Sequence, residues 1–240
     1  MIDHNWSVEG SRIEVVRDPV GGAGTVLRAE RIEPALRAEL RLSPPQSHPG
    51  GLPGRSNFSV QYYLPEKPPQ ALCIAQWHDS WDVPPEFQKH CDPITFQKWY
   101  GRGLFAQVPP PIAIVVRRGK LILELCQLHE PPVLKEDPSL CGSQYLSLSR
   151  PQQLTLTLHD LGAVPIRKWF ELYVQIDVAL RDGEVTVCLD STTLLQVMHP
   201  TLYNSRGNLF KAGAYGDGVV YLRNIRVSST EPSCEDVPKK

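Results

Sequence analysis

The chain has 240 residues, of which 41 % are hydrophobic and 21 % charged, enough for one sizeable core and too apolar for disorder to dominate. The formal net charge of -1 says little about partners, because it conceals an arrangement in which Lys and Arg recur at particular strand positions. No apolar run approaches the ~18 residues of a membrane span, and Met1 to Gly10 lacks the regions of a signal peptide, so a soluble chain of unassigned compartment is expected.

From Arg12 to Val227, short alternating or apolar runs are separated by Pro, Gly and Asn clusters, and no long 3.6-residue period takes over. The pattern predicts an all-β fold, a two-sheet antiparallel β-sandwich forming one domain over 1–240, with its core in 12–227 and a polar tail at 228–240. In chain order the expected strands are Arg12 to Arg17, Gly24 to Arg31, Leu36 to Leu42, Asn57 to Leu64, Leu72 to His78 and Ile112 to Arg117. They continue with Leu121 to Gln127, Leu154 to Leu158, Phe170 to Ala179, Glu184 to Asp190, Leu209 to Gly216 and Val219 to Val227. Arg118-Gly119 and Arg181-Asp182-Gly183 read as hairpin turns, with glycine supplying positive φ. Ser43 to Ser56, Asp79 to Pro111 and Leu128 to Arg150 read as long connections.

Six cysteines show no close-spaced pair of the kind that binds zinc. Cys73, Cys126 and Cys188 lie in apolar β-type runs and read as small buried hydrophobes, whereas Cys91 and Cys141 sit in loops and would pair only in an oxidising compartment.

Successive side chains of a strand point to opposite faces, so Arg37, Glu39 and Arg41 share one face and Ala38, Leu40 and Leu42 the other. Gln76 and His78 likewise project opposite to Ala75 and Trp77. Lys211, Gly213 and Tyr215 project opposite to Phe210, Ala212 and Ala214, and Gly213 is expected to leave room for a ligand between its two neighbours on that face. Each strand alone reads as an ordinary solvent-facing sheet surface. Together they would line a sheet suited to a polyanion.

The segments RAELR at 37 to 41, QWH at 76 to 78 and FKAGAY at 210 to 215 resemble, in order and spacing, the three signature strands of the alginate lyases. The flanking text, DPVGGAGTVLRAE near the start, IAQWH, and PPPIAIVVRRGKLIL, resembles the related heparin lyase I and glucuronan lyase branch, and the similarity runs over most of 12 to 227. That superfamily implies a concanavalin A-like jelly roll with a concave substrate cleft. It also implies a lyase acting on a uronate-containing acidic polysaccharide by β-elimination. Gly216 and Asp217 follow Tyr215 where alginate lyases usually carry Asn-Gln, and Trp77 replaces a small aliphatic residue, so glucuronan, alginate and heparin-type chains all stay open as substrates.

The reaction must neutralise the C6 carboxylate, remove the C5 proton and protonate O4. Arg37, Arg41 and Gln76 are candidates for the carboxylate, Arg because its fork matches it. His78 and Tyr215 are left for proton transfer. A tyrosine ordinarily ionises near ~10, so acting as base at neutral pH requires nearby cations, which Lys211 and the arginines would supply. By resemblance Tyr215 donates the proton to O4 and is also a candidate base, while His78 is either base or neutraliser. Glu39, between two arginines, is expected to fix their orientation.

Tyr63 and Trp81 complete the expected substrate contacts with Arg41, Lys211 and Glu39. Trp81 shares the loop after His78 with Phe87, Trp99 and Tyr100, which either stack on sugars or form the loop's own small core. The Arg117 to Lys120 turn is read as a solvated tip or as a catch for sulfate or carboxylate. No cofactor is expected to be required, and Asn224 with Asp217 are candidates for a structural calcium ion. The expected partner is an acidic polysaccharide or oligosaccharide, with no nucleic acid, no membrane and a monomeric chain. The alternative is a non-catalytic carbohydrate-binding module or lectin on the same fold. A glycoside hydrolase would need two carboxylates facing one cleft, and only Glu39 occupies a signature strand.

Overall fold

A computed structural model of the chain describes residues 12–22, 24–33, 37–42, 54–79, 109–129, 134–136, 146–148, 154–179, 181–201 and 208–228. Among them are fifteen strands: β1 (Arg12–Arg17), β2 (Thr25–Glu30), β3 (Arg37–Leu42), β4 (Arg55–Tyr63), β5 (Leu72–Asp79), β6 (Ile112–Arg117), β7 (Lys120–Leu128), β8 (Leu134–Glu136), β9 (Leu146–Leu148), β10 (Leu154–Ala163), β11 (Phe170–Asp177), β12 (Glu184–Leu189), β13 (Thr192–Met198), β14 (Asn208–Tyr215) and β15 (Val219–Ser228). One sheet has the order β1-β2-β15-β4-β11-β12-β13, the other β10-β7-β6-β5-β14-β3, and β8 pairs with β9. Every pairing is antiparallel. The molecule is a β-sandwich of the jelly-roll type.

The alternation that predicted the strands also builds the core. Ile112, Ile114 and Val116 on β6, Leu121, Leu123 and Leu125 on β7, and Val174 and Ile176 on β11 all face inward and are buried. Phe58 of β4 packs between the two sheets, with ring centroids 5.3 Å from Trp77 and 4.8 Å from Phe210. Trp77 and Phe210 sit 5.0 Å apart on neighbouring strands β5 and β14. Three aromatic rings therefore tie the strands that carry the candidate chemistry to the opposite sheet. Truncating a buried aromatic of this kind typically costs about 3 to 5 kcal/mol.

The Arg118-Gly119 turn has φ of 54° and 79°, as a two-residue hairpin requires, and joins β6 to β7 as expected. Asp190 and Ser191 also have positive φ and turn β12 into β13, a strand that the alternation did not reveal. Its Thr-Thr-Leu-Leu doublets break the period of two, and the register shift between Val187 and Cys188 absorbs the break. Strands β8 and β9 fall inside the stretch expected to be a long connection. Cys73, Cys126 and Cys188 are buried, Cys73 as a free thiol and Cys188 disulfide-bonded. Cys91 and Cys141 lie outside the described residues.

Candidate active site

Strands β3, β14 and β5 lie side by side at one end of the six-stranded sheet. Their inner faces carry Ala38, Ala75, Trp77, Phe210, Ala212 and Ala214, all buried in the core. Their outer, open face therefore receives the polar set. Register fixes the neighbours: Tyr215 is opposite Arg37, Gly213 opposite Glu39, and Lys211 opposite both Arg41 and Gln76.

Two irregularities refine this face. The ladder of β5 shifts between Cys73 and Ala75 against β6, and that of β14 shifts between Ala212 and Tyr215 against β5. Strict alternation would send Cys73 inward with Trp77. The bulge instead groups it with Ala113 and Val115, directly opposite Tyr215. Nothing in the short apolar run marks this floor residue, because a bulge leaves no trace there.

Gly213 has φ of 152°, and a Cβ there would lie 2.7 Å from Glu39 Cα and closer still to the Ala38 carbonyl oxygen. The missing side chain admits the backbone of β3. The expectation that it leaves room for a ligand is thus corrected, since the neighbouring strand fills that space.

The polar residues divide by depth. Gln76 is 2 % exposed and donates a hydrogen bond from its amide to Glu39 Oε1. Glu39 is also buried, and its Oε2 lies 3.5 Å from Arg37 Nη1 without a hydrogen bond of its own. Above this floor, Tyr215 is 37 % exposed and the Arg37 side chain 34 %. The Arg37 guanidinium lies over the Tyr215 ring, 4.6 Å from the centroid. Beneath them the Cys73 thiol is pushed well above its ordinary pKa, first by burial and then by the charges of Glu39 and Glu124, with Lys211 opposing. Cys73 is therefore a neutral floor group.

The structure thus brings together Arg37, Glu39, Gln76, Lys211 and Tyr215. His78 belongs to β5, with its backbone opposite Leu209, but its side chain and that of Arg41 lie outside the described residues, as do Trp81, Phe87, Trp99 and Tyr100. Tyr63 is a correction. It sits on β4 in the seven-stranded sheet, its ring 5.6 Å from Trp169 and 5.7 Å from Tyr221, so it is a packing residue remote from this face. The two calcium candidates have protein partners. Asp217 pairs with Arg31, while Asn224 donates to Gln61 Oε1 at 3.0 Å, and among the described residues no three metal-binding groups cluster. At the hairpin after β6, Arg117 pairs with Glu124 at 2.7 Å and Lys120 with Asp160, while Arg118 is exposed.

Fold and site together define a β-sandwich protein with an arginine–tyrosine pair set over a buried acidic and amide floor on one open sheet face. The polysaccharide lyase family profile matches residues 2–230, and the chain belongs to that family, whose members are lyases. A search of curated proteins found no match. Among solved structures, a binding domain of botulinum neurotoxin DC in complex with rat synaptotagmin II matches with TM-score 0.50 and 9 % identity, over 95 % of this chain and 44 % of that one. A family 7 alginate lyase, A1-II′, solved as a variant with a bound substrate, matches with TM-score 0.46 and 14 % identity, over 88 % and 82 %. The chain spans less than half the length of the neurotoxin chains it matches, and likeness at such identity speaks to fold alone.

Proposed function

We propose that the chain cleaves a uronate-containing acidic polysaccharide by β-elimination at the open face of β3, β14 and β5. The observation that carries the reading is the Arg37 guanidinium over the ring of the exposed Tyr215, which supports a carboxylate fork next to the proton-transfer tyrosine.

In this mechanism Arg37, with Lys211 nearby, takes the C6 carboxylate and stabilises the charge that develops on it as C5 loses its proton. Glu39 and Gln76 hold each other beneath, and Glu39 restrains Arg37. A base, Tyr215 or His78, removes the C5 proton. The electron pair of that C–H bond forms the C4–C5 double bond while the C4–O4 bond breaks, and Tyr215 supplies the proton that O4 needs.

The test is to incubate the protein with glucuronan, alginate, heparin-type chains and hyaluronan and to follow ultraviolet absorbance of the new double bond conjugated with the carboxylate. At least one of these polymers is expected to give absorbance that Tyr215→Phe abolishes. Binding of every polymer without absorbance would make the chain a carbohydrate-binding protein.

A further inference from the structure

The open face does not keep one character from edge to edge. Strands β3 and β14 carry three basic residues, Arg37, Arg41 and Lys211, against the single acidic Glu39. Across β6, β7 and β10 the charges cancel in pairs, Arg117 with Glu124 and Lys120 with Asp160. Between these pairs the floor is aliphatic. Register places Leu158 beside Glu124 and Leu156 beside Cys126, on the face opposite the core residues Leu123 and Leu125. Leu154, Leu156 and Leu158 are 41 %, 53 % and 49 % exposed, three consecutive open-face positions of one strand, while Ala113 and Val115 on β6 and Ile122 on β7 continue the floor toward Cys73.

A chain of contiguous uronates laid along the leucine row would set carboxylates on aliphatic carbon, with Arg117 and Lys120 already paired to Glu124 and Asp160. An unpaired charge brought against such a surface loses hydration and gains nothing. The apolar faces of neutral sugars, above all sugars bearing methyl or acetyl groups, lose only unfavourable hydration there. From β14 to β10 is four strand spacings, about 19 Å, which is room for several sugar units.

We infer, on the basis of the lyase reading above, that the substrate is a heteropolysaccharide in which the uronate held at β3 and β14 is flanked, on the β6 to β10 side, by neutral sugars with apolar substituents such as 6-deoxyhexoses. The exposed leucine row is the part of the site that selects them. A polymer with uronate at every position is the poorer substrate.

The experiment compares two polymers, homopolymeric glucuronan and a polymer alternating glucuronate with a 6-deoxyhexose. It uses initial rates of ultraviolet product with wild type, and calorimetric binding with Tyr215→Phe, so that recognition is read even where chemistry is not. The alternating polymer is expected to be favoured about tenfold in kcat/KM and in affinity, on the scale of a methyl group in an apolar subsite. Leu156→Lys should erase most of that preference by weakening the alternating polymer and improving glucuronan. Ultraviolet product with glucuronan preferred, or a preference that Leu156→Lys leaves untouched, overturns the inference while the lyase reading stands. Preferential binding of the alternating polymer without ultraviolet product from either overturns the lyase reading and keeps the recognition. A wild-type dimer that Leu156→Lys dissociates would make the leucine row an interface between copies, and the inference would fall.

Discussion

The guanidinium carbon of Arg37 lies over the Tyr215 ring, 4.6 Å from its centroid, and the two residues are register partners on β3 and β14. The pair is a consequence of strand register, so it is held by the sheet and not by a mobile loop. Tyr215→Phe keeps the ring, the stack and the backbone, and it should change stability by no more than about 0.5 kcal/mol. Turnover should nevertheless fall about 10² to 10⁴-fold on any polymer that gives ultraviolet product. A folded variant with near-normal turnover would make Tyr215 a wall of the groove.

Arg37 offers a second, separable readout. Arg37→Lys keeps the charge but loses the fork, and with it the guanidinium over the Tyr215 ring, so it should not behave as a conservative change. We expect Arg37→Ala to raise KM and lower kcat, with Arg37→Lys recovering part of the KM and little of the kcat. Steady-state kinetics on one polymer decides it, and equal kcat for Arg37→Lys and wild type would leave the arginine with a binding role alone.

Gly213 makes the β3–β14 approach possible, because a methyl group there would run into the Ala38 carbonyl and Glu39 Cα. Gly213→Ala must either push β3 away or distort the bulge, at a cost of about 2 kcal/mol or more. Thermal melting should register that loss, and the variant should lose activity with it. Wild-type melting in Gly213→Ala would show that β3 adjusts freely at this position.

Much of this was legible in the residues. Period-two alternation set the polar faces of β3, β5 and β14 against their apolar backs, and the structure buries Ala38, Trp77 and Phe210 as that pattern requires. What alternation could not convey is which strands are neighbours and where a ladder slips. Cys73 enters the site floor only because β5 bulges, and Tyr63 leaves it because β4 belongs to the other sheet. The doubled residues of β13 hid that strand for the same reason, a bulge that resets the period.

Asp18 ties the turn after β1 to Trp169 and Arg223. Its carboxylate accepts the Val20 amide at 2.9 Å, Trp169 Nε1 at 3.2 Å and Arg223 Nη1 at 2.7 Å, while Arg223 lies 4.0 Å over the Trp169 ring. The Val20 amide is the main cause that holds the Asp18 carboxyl below its usual range, with Trp169 and Arg223 assisting against burial. A depressed carboxylate stabilises the fold above its unfolded pKa of ~3.9, and that contribution is lost as pH falls through the folded value. Asp18→Asn should therefore cost about 1 to 3 kcal/mol at neutral pH, a gap that narrows below about pH 4. Denaturant melts at pH 7 and pH 3.5 test it, and a gap that stays constant would remove the charge from the account.

The last expectation concerns the sandwich edge where β10 and β13 are the outermost strands of their sheets. His199, just past β13, is buried, with its amide bonded to the Gly183 carbonyl at 2.8 Å and its Nδ1 2.6 Å from the Pro200 carbonyl. Burial is the chief cause that lowers its pKa, the positive charge of a protonated His159 lowers it further, and the Pro200 carbonyl opposes both. His159 has its own Nε2 buried without a hydrogen bond. The native state thus favours neutral His199, whereas the unfolded chain takes up a proton near ~6.5. Stability from this group is complete above that pH and is lost as pH falls below it toward the folded value. His199→Gln cannot take up the proton, so its melting temperature should fall less than that of wild type between pH 7.5 and pH 5. The window lies above ~4, where the contributions of Asp18 and the Arg55-paired Asp177, both depressed carboxylates, are complete and do not change with pH. His159→Gln should reproduce part of the effect by removing one of the two causes that depress His199. Parallel melting curves for wild type and His199→Gln across that window would mean that His199 titrates as it does in the unfolded chain.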